Sequence, residues 1–389
     1  MKIYRLLLVL PMLLGAQTQM DLSIEESVQL ALERNPNIKI AQEKVRDAQQ
    51  SLYQAMGSAL PSVSLQGTRI TDEKVQVIQN PFAGPAAPPL ELDFTMDYQY
   101  DIRVTQPLFT GGKIALGTLM ARKGLDMIQS QQEQEKNNLS FNVIQAYLGM
   151  LVTKEFASVA DEGYNTAQEF YEISELLYGQ GMISKLDLLQ AEVQAANLLP
   201  QKTQAENGVT MAAAGLKMLL GIESETNIEL TDVMTYNPGE YNLDQLKTEA
   251  LMNRAEIQQM SLSKSLSSLN VNMARSNFLP MVALSYSYSK SGNDLDLYSE
   301  WNDSYMVAVG MSYDLFVGGT RYSKVRQAQI AKRQVDYGYE ALKDGILLEV
   351  EQVYLRLMEA EKNILSQEKT VGQAEEAARL AKIQFREGT

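Results

Sequence analysis

Little in this chain of 389 residues can do covalent chemistry, because it has no cysteine and no histidine. Thiol nucleophiles, disulfides, CxxC zinc sites and histidine-based triads are all removed at once. Carboxylates remain. Asp93 with Asp97, and Asp294 with Asp296, are close pairs of the kind an enzyme acting on cell-wall polymers would use as acid and base. Both pairs sit in or beside stretches rich in Pro, Gly and Asn, where acids cap turns and meet water. They read as solvated turn residues, so the expectation is no catalytic site, no cofactor and no metal. There is also no GxxxxGK[ST] loop, so energy for moving any cargo has to come from another protein.

A second stretch has the form of a recognition element. In Gly179-Gln180-Gly181-Met182-Ile183-Ser184-Lys185-Leu186-Asp187 two glycines interrupt a helical pattern, and Ser184 with Asp187 has capping-box spacing. This predicts a turn between two helices, with Leu186, Leu189, Val193 and Ala196 resuming the apolar spacing beyond it. Before the turn the chain runs without proline from Leu108 to Tyr178, long enough for a helix of about 100 Å at 1.5 Å per residue. Within it Leu139, Val143, Ala146, Met150, Ala157, Ala160, Tyr164, Ala167, Tyr171 and Tyr178 follow a 4,3 spacing, with Thr153 and Ser174 in the gaps. That is a heptad seam.

The seam occurs twice. Ile346, Val350, Val353, Leu357, Ala360, Ile364, Val371, Ala374, Ala378, Ala381 and Phe385 repeat it, with Ile346 lying 207 residues after Leu139. The same offset carries Leu108, Phe109, Gly111 and Gly112 onto Leu315, Phe316, Gly318 and Gly319. Pro61 and Pro280, which are 219 residues apart, each end a helical pattern. The twelve extra residues of the first copy fall in its proline-rich stretch around Asn80 to Pro89, and insertions of that kind belong in loops. A period this long marks duplication of a whole supersecondary unit.

Smaller signals place the remaining elements. Ser23 with Glu26 caps a first helix, Asn35-Pro36 interrupts it, and Ile38, Ala41, Val45, Ala48, Leu52, Ala55 and Ala59 give the next seam. The second-copy counterpart runs through Ile257, Met260, Ser267, Val271, Ala274 and Phe278. After each proline the period changes to two. Met96, Tyr98, Tyr100, Ile102 and Val104 alternate with Asp97, Gln99, Asp101, Arg103 and Thr105; Val282, Leu284, Tyr286 and Tyr288 alternate with small and polar residues, as do Tyr305, Val307, Val309, Met311 and Tyr313. Each copy thus predicts a β-hairpin with strands of roughly nine to eleven residues, the length of a tilted transmembrane strand. Residues 71 to 94 and 290 to 304 read as the loops between those strands.

Lys2 and Arg5 ahead of the apolar run Leu6 to Leu14 and Gly15-Ala16 predict a secretory signal over residues 1–16. The formal charge of −14 argues against a nucleic-acid surface. No stretch approaches twenty apolar residues, so an exported chain of this kind enters a membrane by strands. Four strands cannot close a barrel, and open edges in lipid leave backbone groups unsatisfied at several kcal/mol each. Several copies must therefore share one barrel. The competing expectation is a soluble periplasmic coiled-coil scaffold with a small sheet.

These residues resemble the TolC family of outer membrane efflux proteins from about Asp21 onward. The likeness is carried by the doubled helix-Pro-strand-loop-strand-Leu-Phe-X-Gly-Gly-helix order, by Ala31-Leu32-Glu33-Arg34-Asn35-Pro36, and by Tyr178 to Ala191. The resemblance implies an α+β membrane protein, with a long α-helical coiled-coil barrel in the periplasm and an antiparallel β-barrel shared between protomers in the outer membrane. It further implies a homotrimer acting as a passive exit duct for small-molecule efflux or type I secretion. The partners it implies are a periplasmic adaptor, an inner-membrane pump or ABC transporter, and outer membrane lipid. Gly181, Met182, Ile183, Ser184 and Asp187 then become the candidate tip at which the adaptor docks. The expected organisation is a first repeat over 17–238, with its hairpin about 62–107 and a helical hairpin about 113–221. The second repeat covers 239–389, with its hairpin about 281–314 and a long helix about 320–389. The 207-residue offset aligns Phe385 to Thr389 with Tyr178 to Met182, whereas the first copy continues as helix to Gly221. The expectation is a sequence cut short before its last helix, since Leu357, Ile364 and Val371 would otherwise lack part of their packing surface.

Overall fold

The computed structural model describes residues 19–69, 75–78, 90–93, 98–292 and 301–387. The expected signal segment lies outside them, as do Met96, Asp97, Asp294 and Asp296. In chain order the elements are β1 (Gln19–Leu22), α1 (Ile24–Arg34), α2 (Pro36–Gly57), β2 (Ser62–Arg69), β3 (Val75–Ile78), β4 (Leu90–Asp93), β5 (Tyr98–Phe109), α3 (Lys113–Gly179) and α4 (Lys185–Leu220). They continue with β6 (Asn227–Leu230), α5 (Leu243–Asn253), α6 (Ala255–Ser276), β7 (Met281–Gly292), β8 (Asn302–Ser312) and α7 (Thr320–Glu387). Two compact units gather segments from both copies. One draws on the chain up to Lys44, Gln131–Asn242 and the chain from Leu357; the other on Val45–Ser130 and Leu243–Arg356.

In the first unit the core forms where α1, α3 and α4 meet a short parallel pair, β1 with β6, in register from Gln19↔Asn227 to Leu22↔Leu230. Leu22, Ala31, Ile38, Val143, Tyr147, Leu216 and Leu220 are buried together. Ser23 closes the capping box with Glu26, and the Asp232 carboxylate accepts from the Ile24 N–H at 2.7 Å. Tyr147, fully buried, ties helix to strands: its hydroxyl donates to the Leu22 carbonyl at 2.8 Å and accepts from the Asp232 N–H at 3.2 Å. Asn35 breaks α1 from α2 for a specific reason. Its side-chain amide donates to the Leu219 carbonyl at 2.8 Å, while its carbonyl oxygen accepts from the Asn37 N–H at 2.8 Å. Gly221, at φ +67, passes so close that a Cβ there would lie 3.0 Å from the Arg34 carbonyl.

The helix α4 returns beside α3, with Lys202 paired to Asp161 and set 5.3 Å over the Tyr164 ring. The α3 seam is covered as its spacing predicts, at Leu139, Val143, Ala146, Met150 and Ala167. Leu186, Leu189 and Val193 follow the expected helical spacing on α4 but are 63, 43 and 56% exposed within the chain. The covered row is Leu188, Ala191, Ala195 and Leu198 instead. Both rows are apolar, and only the position of α3 chooses between them. On α7 the expected seam is mostly uncovered beyond Val350: Val353, Leu357 and Val371 are 56, 40 and 54% exposed, while Ile364 is half-buried. Among the described residues no helix returns along α7 as α4 does along α3.

In the second unit the strands form one antiparallel sheet in the order β2-β5-β7-β8. Ser62 pairs with Thr105, and Met281 pairs with Ser312. Those four residues are related by the offsets of 219 and 207, so the two hairpins have the same register as well as the same pattern. The glycines after each hairpin match too: Gly111 and Gly112 at φ +64 and +82, Gly318 and Gly319 at +61 and +78. At Gly111 a Cβ would stand 2.8 Å from the Ser276 carbonyl oxygen, which fixes the residue type on contact as well as on dihedral. The first loop needs a correction. Val75–Ile78 and Leu90–Asp93, read as loop, are strands β3 and β4, paired antiparallel from Val75↔Asp93 to Ile78↔Leu90. Their four-residue lengths are too short for a period-two signal against the surrounding prolines.

Tyr147→Phe keeps the ring and removes the hydroxyl that serves both Leu22 and Asp232. The expected loss is about 1 kcal/mol of stability, since the Leu22 carbonyl keeps the Thr231 N–H at 3.1 Å while the half-buried Asp232 N–H loses its acceptor. Urea denaturation followed by circular dichroism measures it, and a loss within error of zero would show the clamp to be idle.

Candidate functional site

Two places in the fold have the geometry to act on something outside the chain: the sheet and the α3–α4 turn. Across the sheet, side chains line up in rows that follow the register. Leu65, Ile102, Tyr288 and Tyr305 stand opposite one another along one row, and Val63, Val104, Tyr286 and Val307 along another. On the other face Gln66, Asp101, Ser289 and Ser304 form one row, and Ser64, Arg103, Ser287 and Met306 the next. One face is therefore continuously apolar and the opposite one polar and charged, as the alternation predicts. Asp101 is held in the polar row by the Gln99 amide at 3.2 Å.

The far ends of the strands carry an aromatic group that sequence reasoning only half found. Trp301 stacks on Tyr100 with ring centroids 6.0 Å apart and lies 6.5 Å from Tyr98. Lys290 sits 5.5 Å over Trp301 and Arg69 5.4 Å over Tyr98. Tyrosines at strand ends were legible from the alternation; Trp301 was not, because it lies just before β8. Amphipathic rings of this kind belong at a membrane interface.

At the turn, each named residue has a definite task. Gly181 is left-handed at φ +76. Its N–H bonds the Tyr178 carbonyl at 2.9 Å and the Met182 N–H bonds that of Leu177 at 2.9 Å, the two bonds that close a helix C-terminus with glycine. Five residues separate Gly179, which ends α3, from Lys185, which starts the next helix. The Ser184 Oγ accepts from the Asp187 N–H at 3.2 Å, and the Asp187 carboxylate accepts from the Ser184 N–H at 3.0 Å and Oγ at 2.7 Å. Lys185 lies 5.2 Å over the Tyr178 ring and so links the two helix ends. Ile183 is half-buried, while Met182 and Leu186 are 67 and 63% exposed. The turn is thus rigid in backbone and apolar at its surface. The landmark residues group elsewhere: Pro61, Leu108 and Phe109 stand at the ends of β2 and β5, and Pro280 precedes β7. Leu315 and Phe316, next to β8, are each 87% exposed. Of the paired acids, Asp93 is in β4 and the other three lie outside the described residues.

Hydrogen bonding from Ser184, first from its hydroxyl and then from its backbone N–H, holds the Asp187 carboxyl below the usual aspartate range. The sign follows directly. A group whose folded-state pKa is depressed contributes stability that is present above the unfolded value and lost as pH falls through the folded one. Protection of the amides at the start of α4 against hydrogen exchange is therefore expected to fall as pH drops below the ordinary aspartate range. In Asp187→Asn that acid-dependent part disappears. Equal pH dependence in the two proteins, after correction for intrinsic exchange, would show that the carboxylate does not hold the turn.

Comparison with known proteins gives one consistent result. The model of the outer membrane efflux protein family matches residues 27–222 and 246–389. The alkaline protease secretion protein AprF of Pseudomonas aeruginosa is 23% identical over 380 residues, covering 93% of this chain and 75% of AprF. The outer membrane protein TolC of Vibrio cholerae is 25% identical over 248 residues, covering 59% of this chain and 54% of TolC. Among solved structures, the outer membrane protein VceC from Vibrio cholerae superimposes with a TM-score of 0.72 at 19% identity, covering 94% of this chain and 86% of VceC.

Proposed function

The chain belongs to the outer membrane efflux protein family and is an outer membrane efflux channel extending into the periplasm, and from that premise we propose that three copies assemble into one passive duct. Two sets of unpartnered surfaces support this reading. Among the described residues the sheet ends on both sides in strands with no neighbour, β2 and β8. Each long helix has a second apolar row besides its seam: Phe141, Leu148, Val152, Phe156 and Val159 on α3, Leu186, Leu189 and Val193 on α4, all exposed. Helices apolar on two faces pack into walls, and strands bare on two sides pack into barrels. Three copies give twelve strands, the number the family resemblance implies. We read the matched blocks as the repeats 17–238 and 239–389.

The internal repeat also says how copies would meet. Within the chain, β5 of the first copy pairs with β7 of the second, with Thr105 opposite Ser285. The residue 207 after Thr105 is Ser312, and the residue 219 before Ser285 is Gln66. Continuing the same pairing around the barrel sets Ser312 opposite Gln66 of the partner subunit, and Met311 opposite Gly67 of the partner subunit. In that arrangement the polar rows face the lumen and the apolar rows face lipid.

The duct is passive and works with a periplasmic adaptor and an inner-membrane pump, the adaptor docking at the rigid, apolar turn of Gly181, Met182, Ile183, Ser184 and Asp187. The cargo is either small molecules or, as the name of AprF suggests, secreted protein. The soluble-scaffold alternative is set aside by family membership.

The chain has no cysteine of its own, so introduced pairs report without background. Ser312→Cys with Gln66→Cys is expected to give disulfide-linked dimers and trimers in outer membranes, because opposed strand residues lie within disulfide range. Ser312→Cys with Gly67→Cys is expected to give little, since a one-residue slip turns the side chains to opposite faces. Crosslinking in the slipped pair alone would overturn the register, and none in either pair the shared barrel. For the turn, Gly181→Trp and Asp187→Arg are expected to abolish transport while trimers still reach the membrane. Wild-type transport in both would reject docking there.

A further inference from the structure

Between α6 and α7, within the second unit, lies a cavity of about 520 Å³ whose walls include Arg275, Lys332 and Arg333 together with the amides of Asn272 and Gln329. Its one acid, Asp336, is already engaged by Lys264 at 3.4 Å, from outside the lining. None of the three lining cations has an ion-pair partner among the described residues. This is out of keeping with a chain of formal charge −14. The excess is local: Thr320 to Arg333, the start of α7, holds Arg321, Lys324, Arg326, Lys332 and Arg333 and no acid. Arg275 alone has an ordinary explanation, as a cation in the last turn of α6 facing that helix's negative end. Lys332 and Arg333 lie well inside α7, where no such end exists, and they add like charges to the same space.

We propose that this cavity binds the phosphate of an anionic phospholipid from the periplasmic leaflet of the outer membrane. Guanidinium forks, an ammonium and two amide groups are the donors a tetrahedral oxyanion takes, and the volume is that of a ligand-sized pocket. The position selects lipid as the source. Arg275 lies six residues before Met281, where β7 begins, and Phe278, Leu279 and Met281 between them are 45, 48 and 46% exposed. A headgroup at the cations therefore has apolar surface beside it toward the strands. Runs of Lys and Arg immediately outside a membrane-spanning segment attract anionic headgroups. By contrast, the sequence between β2 and β5 holds Asp72, Glu73, Glu91, Asp93 and Asp97 against one Lys74, and that between β7 and β8 holds Asp294, Asp296 and Glu300.

The inference rests on the reading that these strands span the outer membrane. It is tested on the full chain in neutral detergent, by thermal unfolding with added phosphatidylglycerol, phosphatidylcholine or inorganic phosphate. Phosphatidylglycerol is expected to raise the midpoint of the wild-type protein by a few degrees, and not that of Arg275→Gln/Lys332→Gln/Arg333→Gln; phosphatidylcholine is expected to raise neither. Should the triple variant fail to fold, Lys332→Gln alone is read, with a reduced shift expected. Equal stabilisation of wild type and variant overturns the proposal. So does an equal effect of inorganic phosphate, which would make this a site for a free anion. Conductance of the same preparations in planar bilayers separates the two readings. Normal conductance with no lipid effect sinks only the lipid site; a lipid effect without conductance counts against the channel.

Discussion

Everything in this protein answers to one requirement, that backbone N–H and C=O groups inside a bilayer be paired. The sheet β2-β5-β7-β8 gives each interior strand a partner on both sides and, among the described residues, leaves its two outer strands open. An open edge in lipid is untenable at several kcal/mol per unpaired group. With four such strands among the described residues the sheet is incomplete by itself, and in the proposed assembly other copies of the same edges complete it. The internal duplication makes this economical, because a pairing that already exists between the two halves of one molecule can be reused between molecules without new side-chain complementarity.

The helices follow from the same geometry by a different interaction. A wall of helices around a lumen asks each helix to meet two neighbours, so each needs two apolar rows. Small residues such as Ala146, Ala157, Ala160 and Ala167 let the seam of α3 run close to α4, while larger residues such as Phe141 and Phe156 stay on the open side. Against this repetitive packing the knot of β1, β6, Asn35, Tyr147 and Gly221 is irregular. There the polar side chains each satisfy named backbone groups, and Gly221 admits the α1–α2 break beside the end of α4. It is also where the first unit keeps most of its fully buried side chains, so it fixes the register of helices whose seams alone would allow them to slide.

The two copies are alike where local sequence rules act and unlike where partners differ. The hairpins share register and the glycine turns share dihedrals. Yet Gly111 packs against Ser276 and Leu279, whereas a Cβ at Gly318 would meet nothing within 4 Å, and Leu315 and Phe316 are far more exposed than Leu108 and Phe109. The first-copy turn has the second-copy hairpin beside it. The second-copy turn faces the open edge of the sheet.

What the amino-acid sequence determined by itself was everything with a short period. On α2 the seam residues Ile38, Ala41, Val45, Ala48, Leu52 and Ala55 are buried or half-buried, while Ala59, past the helix end, is exposed; the caps at Ser23 and Ser184 form as their spacing requires. The strands alternate in the phase expected, because propensity, capping and pleat are decided by neighbours a few residues away. What only the tertiary structure decided was the choice among equivalent local options. Leu188 and Ala195 were taken over Leu186 and Leu189 because α3 happens to lie on that side. The strand Gln19–Leu22 formed because Asn227–Leu230, some two hundred residues away, was there to pair with it. Tyr147 carried no local mark of its role. Period is a property of one segment, but a partner is a property of two, and the second is absent from any pattern read along a single stretch of chain.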